Sequence, residues 1–233
     1  VLEAMDELMG KTARLLLKLS PMLDWRKAVE ELMRSDKREV RSDRFWVSSV
    51  HIVSVENDCK ELLVLVESGR CKMEGENFRV VCVNLLSDGS MEYFEYSPSA
   101  IHHPPSAKVP PPKATYLLVP NASIMKAGCF TLLEERYGIR QVGQNSHLFV
   151  SDTAISDFPG RQFCIERITL LNKRELREAM AGVTKANISV RNFPMSVAEL
   201  RKRLRLQDGG DLYIFATTVA NQGHQLFVCR KKS

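Results

Sequence analysis

The chain has 233 residues and a formal net charge of +5, with 44% hydrophobic, 26% charged and 7% aromatic residues. That balance excludes a disordered chain, fits one large domain or two small ones, and calls for a core of mostly aliphatic side chains. No apolar run nears the ~18–20 residues that span a bilayer, and the acidic first ten residues are unlike a basic secretory leader.

Residues 1–10 place Leu2, Met5, Leu8 and Met9 on one helical face. A chain that opens at Val1 in mid-helix points to a piece of something longer. Residues 13–19 are a strand-length apolar run stopped by Ser20-Pro21. A helix over 23–33 follows, with Leu23, Ala28, Leu32 and Met33 as core candidates. Helix, strand, loop, helix is the grammar of a parallel α/β sheet. After a charged connector at 34–44, a β-branched strand spans 45–55. Glu56-Asn57-Asp58 is a turn signal; 61–66 fits a helix or a strand, and its Leu-Leu-Val-Leu-Val run and the short turn favour an antiparallel hairpin. Asp88-Gly89 sits between two alternating runs, 78–86 and 91–96, and predicts a second hairpin. Residues 97–113 hold six prolines and read as an extended connector.

Beyond it, 115–119 is a short strand, and Asn121 caps one helix over 122–137, closed by Gly138. A strand at 147–150 and a connector at 151–160 follow. The last part alternates: strand 162–170, helix 173–181 capped by Asn172, strand 186–190, helix 197–204 capped by Ser196. Strands 211–218 and 225–229 then flank Asn221-Gln222-Gly223. This β-α-β-α-β-β order suits a compact two-layer domain. Fourteen Lys/Arg and six Asp/Glu fall within 161–233, a net +8 that leaves −3 for the rest. A basic segment beside a mildly acidic one suggests an anionic partner.

The six cysteines are scattered without a CxxC pair, which argues against disulfides and structural zinc and fits a reducing cytoplasm. His102-His103 lies in the proline-rich connector without a ligand-like neighbour. Ser20, Pro21 and Asp24 follow a predicted parallel strand, where α/β sheets bind ligands. They are candidates for an active-site rim, with Trp25 able to stack on a base. The other reading makes Ser20 or Asp24 a helix cap and Trp25 core. Asn121 and Lys126 open a helix whose free N–H groups suit a phosphate, or they serve capping alone. The polar loop 141–147 (QVGQNSH) is able to present amides to a nucleotide. The strongest signal is cationic: Arg201, Lys202, Arg203 and Arg205 crowd one helix end, with Arg191 upstream and Arg230, Lys231 and Lys232 at the C-terminus. Phosphate binding explains that crowding; complementing the helix dipole is the alternative.

Four segments carry a resemblance: LLLKLSPMLDW (15–25), HIVSVENDCKELLVL (51–65), PNASIMKAG (120–128) and NFPMSVAELRKRLRLQDGGDLYIFAT (192–217). Together they resemble bacterial, chiefly Bacteroidetes, class I S-adenosylmethionine-dependent methyltransferases with a THUMP-like C-terminal domain. The resemblance implies a mixed α/β and α+β fold. Residues 1–67 become the last elements of a Rossmann-like sheet, with 13–19 a late parallel strand and 45–67 the closing antiparallel hairpin. Residues 115–151 become a ferredoxin-like segment. The implied division is 1–96, 97–152 and 161–233, the last a THUMP-like RNA-binding domain. The chain departs from the pattern in having no glycine-rich loop after an early strand. S-adenosylmethionine is thus expected for a parent protein, and no cofactor for this chain. The expected function is the C-terminal part of a methyltransferase acting on structured RNA, transfer or ribosomal, in the cytoplasm, with no membrane and no metal. Arg191, Arg201, Lys202, Arg203, Arg205, Arg230 and Lys231 would meet the RNA. The alternative is a non-catalytic RNA-binding module, or an assembly module pairing through the edges of 78–96.

Overall fold

The computed structural model describes residues 4–33, 45–69, 78–98 and 115–232. The chain divides into two compact units. The first holds Val1–His103 and Asn121–Cys129, and the second Pro104–Pro120 and Phe130–Ser233.

The first unit is a five-stranded sheet. Its strands are β1 (Arg14–Leu19), β2 (Phe45–Val55), β3 (Asp58–Ser68), β4 (Arg79–Leu85) and β5 (Met91–Tyr96), in the order β1-β3-β2-β4-β5. β2 and β3 form a hairpin closed by Glu56 and Asn57, both at positive φ (50° and 63°). Two left-handed residues match the twist of the flanking strands, and Asn tolerates that region. β1 is antiparallel to β3, so β1 and β2 run the same way with β3 reversed between them. β4 is parallel to β2. The carboxyl ends of β1, β2 and β4 therefore share one edge of the sheet. The β4–β5 hairpin turns through Gly89 at φ 82°, as Asp88-Gly89 predicts. Alternation in β3 sends Leu62, Val64 and Val66 to the core, beside Val50 and Ile52 of β2.

Helices α1 (Met5–Lys11), α2 (Trp25–Met33) and α3 (Ala122–Ala127) complete this unit. α2 begins two residues later than predicted, because Asp24 takes the cap and leaves Leu23 in the turn, 47% exposed. Met5, Met9, Trp25, Leu32, Ile124 and Ala127 supply the buried apolar helix contacts. The single helix predicted over 122–137 is in fact two. Gly128 adopts φ 68° and ends α3, and α4 (Phe130–Tyr137) restarts in the second unit. A glycine in the left-handed region stops a helix wherever it falls. The predicted connector 97–113 lies almost wholly outside the described residues, as do His102 and His103.

The second unit is a seven-stranded sheet, β10-β11-β12-β9-β6-β8-β7. Its strands are β6 (Tyr116–Pro120), β7 (Arg140–Gln141), β8 (Phe149–Ser151), β9 (Gly160–Leu170), β10 (Asn187–Arg191), β11 (Leu212–Val219) and β12 (Gly223–Lys231). Only β10 and β11 are parallel. Helices α5 (Lys173–Ala179) and α6 (Val197–Leu204) make the crossovers, capped by Asn172 and Ser196 as predicted. β11 and β12 bury both faces, which explains their near-continuous apolar runs. Phe215, Phe227 and Cys229 pack with Val142, Leu148 and Phe163 on one face. Ile214, Ala216, Leu226 and Val228 pack with Leu200 and Leu204 on the other. Two-residue β7 is too short to show in a sequence pattern.

Candidate nucleic-acid interface

The loops at the strand carboxyl ends of the first unit are built of polar residues that bind one another. Asp24 Oδ1 accepts from the amides of Lys27 (3.3 Å) and Arg26 (2.9 Å), which holds its carboxyl below the usual carboxylate range. Ser20 Oγ accepts from Met22 N at 3.3 Å, beside Pro21 in the same turn. Trp25 is buried, with Nε1 donating to Ala127 O at 3.4 Å and the Arg26 guanidinium 4.4 Å over its ring. It is therefore core and does not offer its face to a base.

The N-terminus of α3 is closed in the same manner. Ala122 N donates to Asn57 Oδ1 (2.8 Å) and Ile124 N to Asn121 Oδ1 (3.1 Å). Asn121 Nδ2 and Asn84 Nδ2 both donate to Glu92 Oε2, at 2.7 and 2.9 Å. Asn57 N in turn donates to Asn84 Oδ1 at 2.9 Å. A phosphate on this terminus would have to displace bonds already made, so Asn121 acts as a cap and a joint.

Thiol chemistry finds no support. Hydrogen bonding to Cys129, then burial, pushes the Cys82 thiol well above its usual range. Burial, then Glu166, does the same to Cys229. Thiolates are what react or ligate. No cluster of three or more metal-ligating side chains occurs among the described residues.

The seven predicted RNA cations divide between two ends of the second sheet. Arg191 pairs with Thr217 in the β10–β11 ladder, whereas Arg230 pairs with Leu212 in the β11–β12 ladder. Five residues of β11 separate those levels, about 17 Å at 3.3–3.4 Å per residue. α6 returns antiparallel to β10, and Ala186 N donates to Gln207 O (3.0 Å) just past its end. Arg201, Lys202 and Arg205 thus join Arg230 and Lys231 at the amino end of β10 and β11, whereas Arg203 reaches back to Leu171, just past the β9 end that pairs through Gln225 with Thr217. Several of these are already occupied. Arg201 pairs with Asp208, Arg203 Nη2 donates to Leu171 O (2.9 Å), and Arg230 pairs with Glu166. Arg205 ends the helix at φ 57°. Lys202 and Arg205 carry no ion pair among the described residues. An open depression of about 540 Å³ at this end is lined by Arg167, Lys185 and Arg230 against Glu166, Glu178 and Asp211. Balanced charge makes it a poor anion site.

Arg191 stands at the opposite, carboxyl end, with the 141–147 loop and with Asn192, Thr218 and His224, three residues the sequence reading passed over. The signal was present: Arg191 ends, and Asn192 directly follows, a strand of a parallel pair, where ligands bind in α/β sheets.

Residues 160–231 match the THUMP domain-like family and residues 116–159 a ferredoxin-like domain family. A crystal structure described as a "putative methyltransferase" from Porphyromonas gingivalis W83, a member of the Bacteroidetes, is similar over 99% of this chain, at 30% identity and a TM-score of 0.80. This chain covers 54% of that one, so it spans about half of its length. No curated protein matches. No helix among the described residues is long and apolar enough to cross a membrane.

Proposed function

We propose that this chain is the C-terminal region of a cytoplasmic, S-adenosylmethionine-dependent methyltransferase, and that its THUMP-like part grips structured RNA by its phosphates. The observation that carries the reading is a coincidence of two facts. The segment matching the THUMP-like family, 160–231, is also where the positive charge concentrates, at net +8 over 161–233. A sequence-independent grip on a polyanion needs such a charge surplus. Two observations add support. β1 runs in the same sense as β2, and 45–67 holds an antiparallel hairpin, in keeping with the late strand and hairpin that the resemblance implies, although β4 and β5 continue the sheet beyond β2. The similar structure described as a "putative methyltransferase" aligns with nearly the whole chain.

Among the described residues, none forms an S-adenosylmethionine cradle. Asp24, in the loop after β1, spends its carboxylate on two amides of α2. No glycine-rich loop follows a strand of the first sheet among the described residues. The part this chain plays is to hold and orient RNA. Methyl transfer depends on in-line placement of the nucleophile, so orientation contributes directly to rate.

Fluorescence anisotropy with a labelled RNA hairpin, titrated from about 50 to 200 mM salt, tests the reading. Binding should weaken steeply, by roughly 0.7–0.9 log units per log unit of salt for each phosphate contact. Absence of binding at the lowest salt would overturn it. Mass that grows with protein concentration in light scattering, without RNA binding, would favour assembly through β5, where Met91 and Tyr93 are 56% and 50% exposed.

A further inference from the structure

The carboxyl end of the β10–β11 pair holds a cation without a counter-charge. Arg191 is half-buried, and no carboxylate pairs with it among the described residues. Its ladder partner Thr217 is fully buried, with Oγ1 lacking any hydrogen-bond partner among those residues. Side chains two apart on a strand share a face, and so do directly paired ones. Thr217 therefore lies on the face of Phe215 and Val219, the one that Val142 and Leu148 cover, and Arg191 turns the same way. Val190, one residue earlier, packs with the cluster of Leu200 and Leu204 on the opposite face, as the alternation requires.

The cover over Arg191 and Thr217 is fixed from several sides. Val142 N donates to Leu148 O (2.8 Å), and Ala220 N donates to Val142 O (3.1 Å). Gly143 lies so close that a Cβ would sit 2.3 Å from Thr218 O, so the loop runs against the end of β11. Asn192 Nδ2 donates to Gln144 O at 2.9 Å, which ties the same loop to the end of β10. Inside the loop the buried Ser146 hydroxyl donates to Gly143 O (2.6 Å) and accepts from Gly143 N (3.2 Å). His147 comes next, its ring stacked on Phe130 with centroids 4.3 Å apart. Its Nδ1 is buried and has no partner among the described residues. Burial, then Arg191, lowers its proton affinity, so the imidazole beside the guanidinium is neutral. Asn145, His147 and Asn192 all take positive φ. Strain of that kind persists where the surroundings over-determine it, often at binding sites.

A guanidinium, a hydroxyl and a neutral imidazole in its Nδ1–H form are all donors. Buried donors left unpaired are costly. A phosphate brings negative charge and several acceptor oxygens, and so satisfies all three at once. We propose that Arg191, Thr217 and His147 form a seat for one backbone phosphate of RNA. Arg191 supplies the charge, and Thr217 Oγ1 and His147 Nδ1 donate from behind it. The seat is made jointly by the two family segments, His147 coming from 116–159 and the other two from 160–231. The inference rests on the RNA reading above, and it puts a phosphate contact on the face of the sheet opposite α6.

The test compares full-chain variants by anisotropy against a labelled RNA hairpin, with melting followed by circular dichroism. Arg191→Gln should bind RNA about 10-fold more weakly and lower the salt slope by roughly one contact. Arg191→Lys should keep the salt slope, which separates charge from fold. Thr217→Val keeps the shape and removes the unpaired hydroxyl. It should melt about 2–4 °C higher yet bind RNA about 5-fold more weakly, opposite signs that a purely structural residue would not give. A Thr217→Val chain that is less stable than wild type would mean that the hydroxyl is already satisfied, and the seat falls. Inorganic phosphate at matched ionic strength should displace RNA from the wild type and have little effect on Arg191→Gln. If phosphate raises the wild-type melting temperature but leaves RNA binding unchanged, free phosphate is the occupant and the RNA assignment is wrong. If the wild type binds RNA steeply with salt while folded Arg191→Gln and Thr217→Val bind as it does, the inference falls and the broader reading stands. If the wild type binds no RNA at the lowest salt, both fall together.

Discussion

The two units treat the carboxyl ends of their parallel strands in opposite ways. In the first, every polar side chain of the cluster has a partner from within. Asn57, Asn84, Glu92 and Asn121 form one chain of hydrogen bonds that fastens α3 to the sheet. In the second, Arg191, Thr217 Oγ1 and His147 Nδ1 are brought together by tightly fixed loops and left without protein partners among the described residues. Polar groups that satisfy one another stabilise a fold; polar groups held apart at a cost are available to a ligand. Location at a strand end does not separate the two cases. Hydrogen-bond accounting does.

The sharpest way to break this comparison is Gly143→Ala. The added methyl meets backbone, not a flexible side-chain tip, so the 143–147 loop has to move off β11. Loss of about 3 kcal/mol in urea denaturation is expected, at the upper end of ordinary overpacking. RNA affinity should fall even where the protein stays folded. A variant as stable as wild type would show that the loops are not locked.

Next in size is Asn121→Ala in the first unit. It removes the α3 cap and strands part of the Asn84–Glu92 pair, for a loss of about 2 kcal/mol. Here stability should drop while RNA affinity, measured on folded protein, stays within 2-fold. A large loss of RNA binding would contradict the assignment of this network to architecture alone.

How much of this was legible beforehand follows the same division. Strong local signals reported well: the Asp88-Gly89 hairpin, the caps at Asn172 and Ser196, and the β11–β12 hairpin around Asn221-Gln222-Gly223 each depend on neighbours in sequence. Gly128 shows the limit. Its left-handed φ ends α3 and sends Phe130 into the other unit, yet a helical pattern over 122–137 runs straight through it. The site was harder still. The cluster of cations at 201–205 dominates the sequence, but Arg201, Arg203 and Arg230 are engaged by Asp208, Leu171 and Glu166, partners 7, 32 and 64 residues away. Arg191 comes beside Thr217, 26 residues away, only because β10 and β11 pair in parallel, which no linear spacing displays.

Lys202 and Arg205 test the other end of the second sheet. Both are exposed, and the double variant Lys202→Gln/Arg205→Gln should lower affinity about 2- to 5-fold and the salt slope by at most two contacts. Unchanged affinity and salt slope in this folded variant would show that the α6 end does not meet the RNA.

The smallest effect expected is a pH response from the α6 capping box. Glu199 Oε2 accepts from Ser196 N at 2.7 Å, and that bond, then the Ser196 hydroxyl, holds the Glu199 carboxyl below its ordinary value of 4.5. A folded-state value below the unfolded one means that the unfolded chain binds the proton more readily. Its stabilising contribution is therefore present above about pH 4.5 and is lost as pH falls through the lower folded value. Glu199→Gln keeps an acceptor for the Ser196 amide but cannot titrate. Between pH 5 and pH 3 its melting temperature should fall slightly less than that of the wild type, with the two close at pH 7. Identical acid profiles would mean that the carboxylate gains nothing from the cap, and that the Ser196 side chain alone fixes the start of α6.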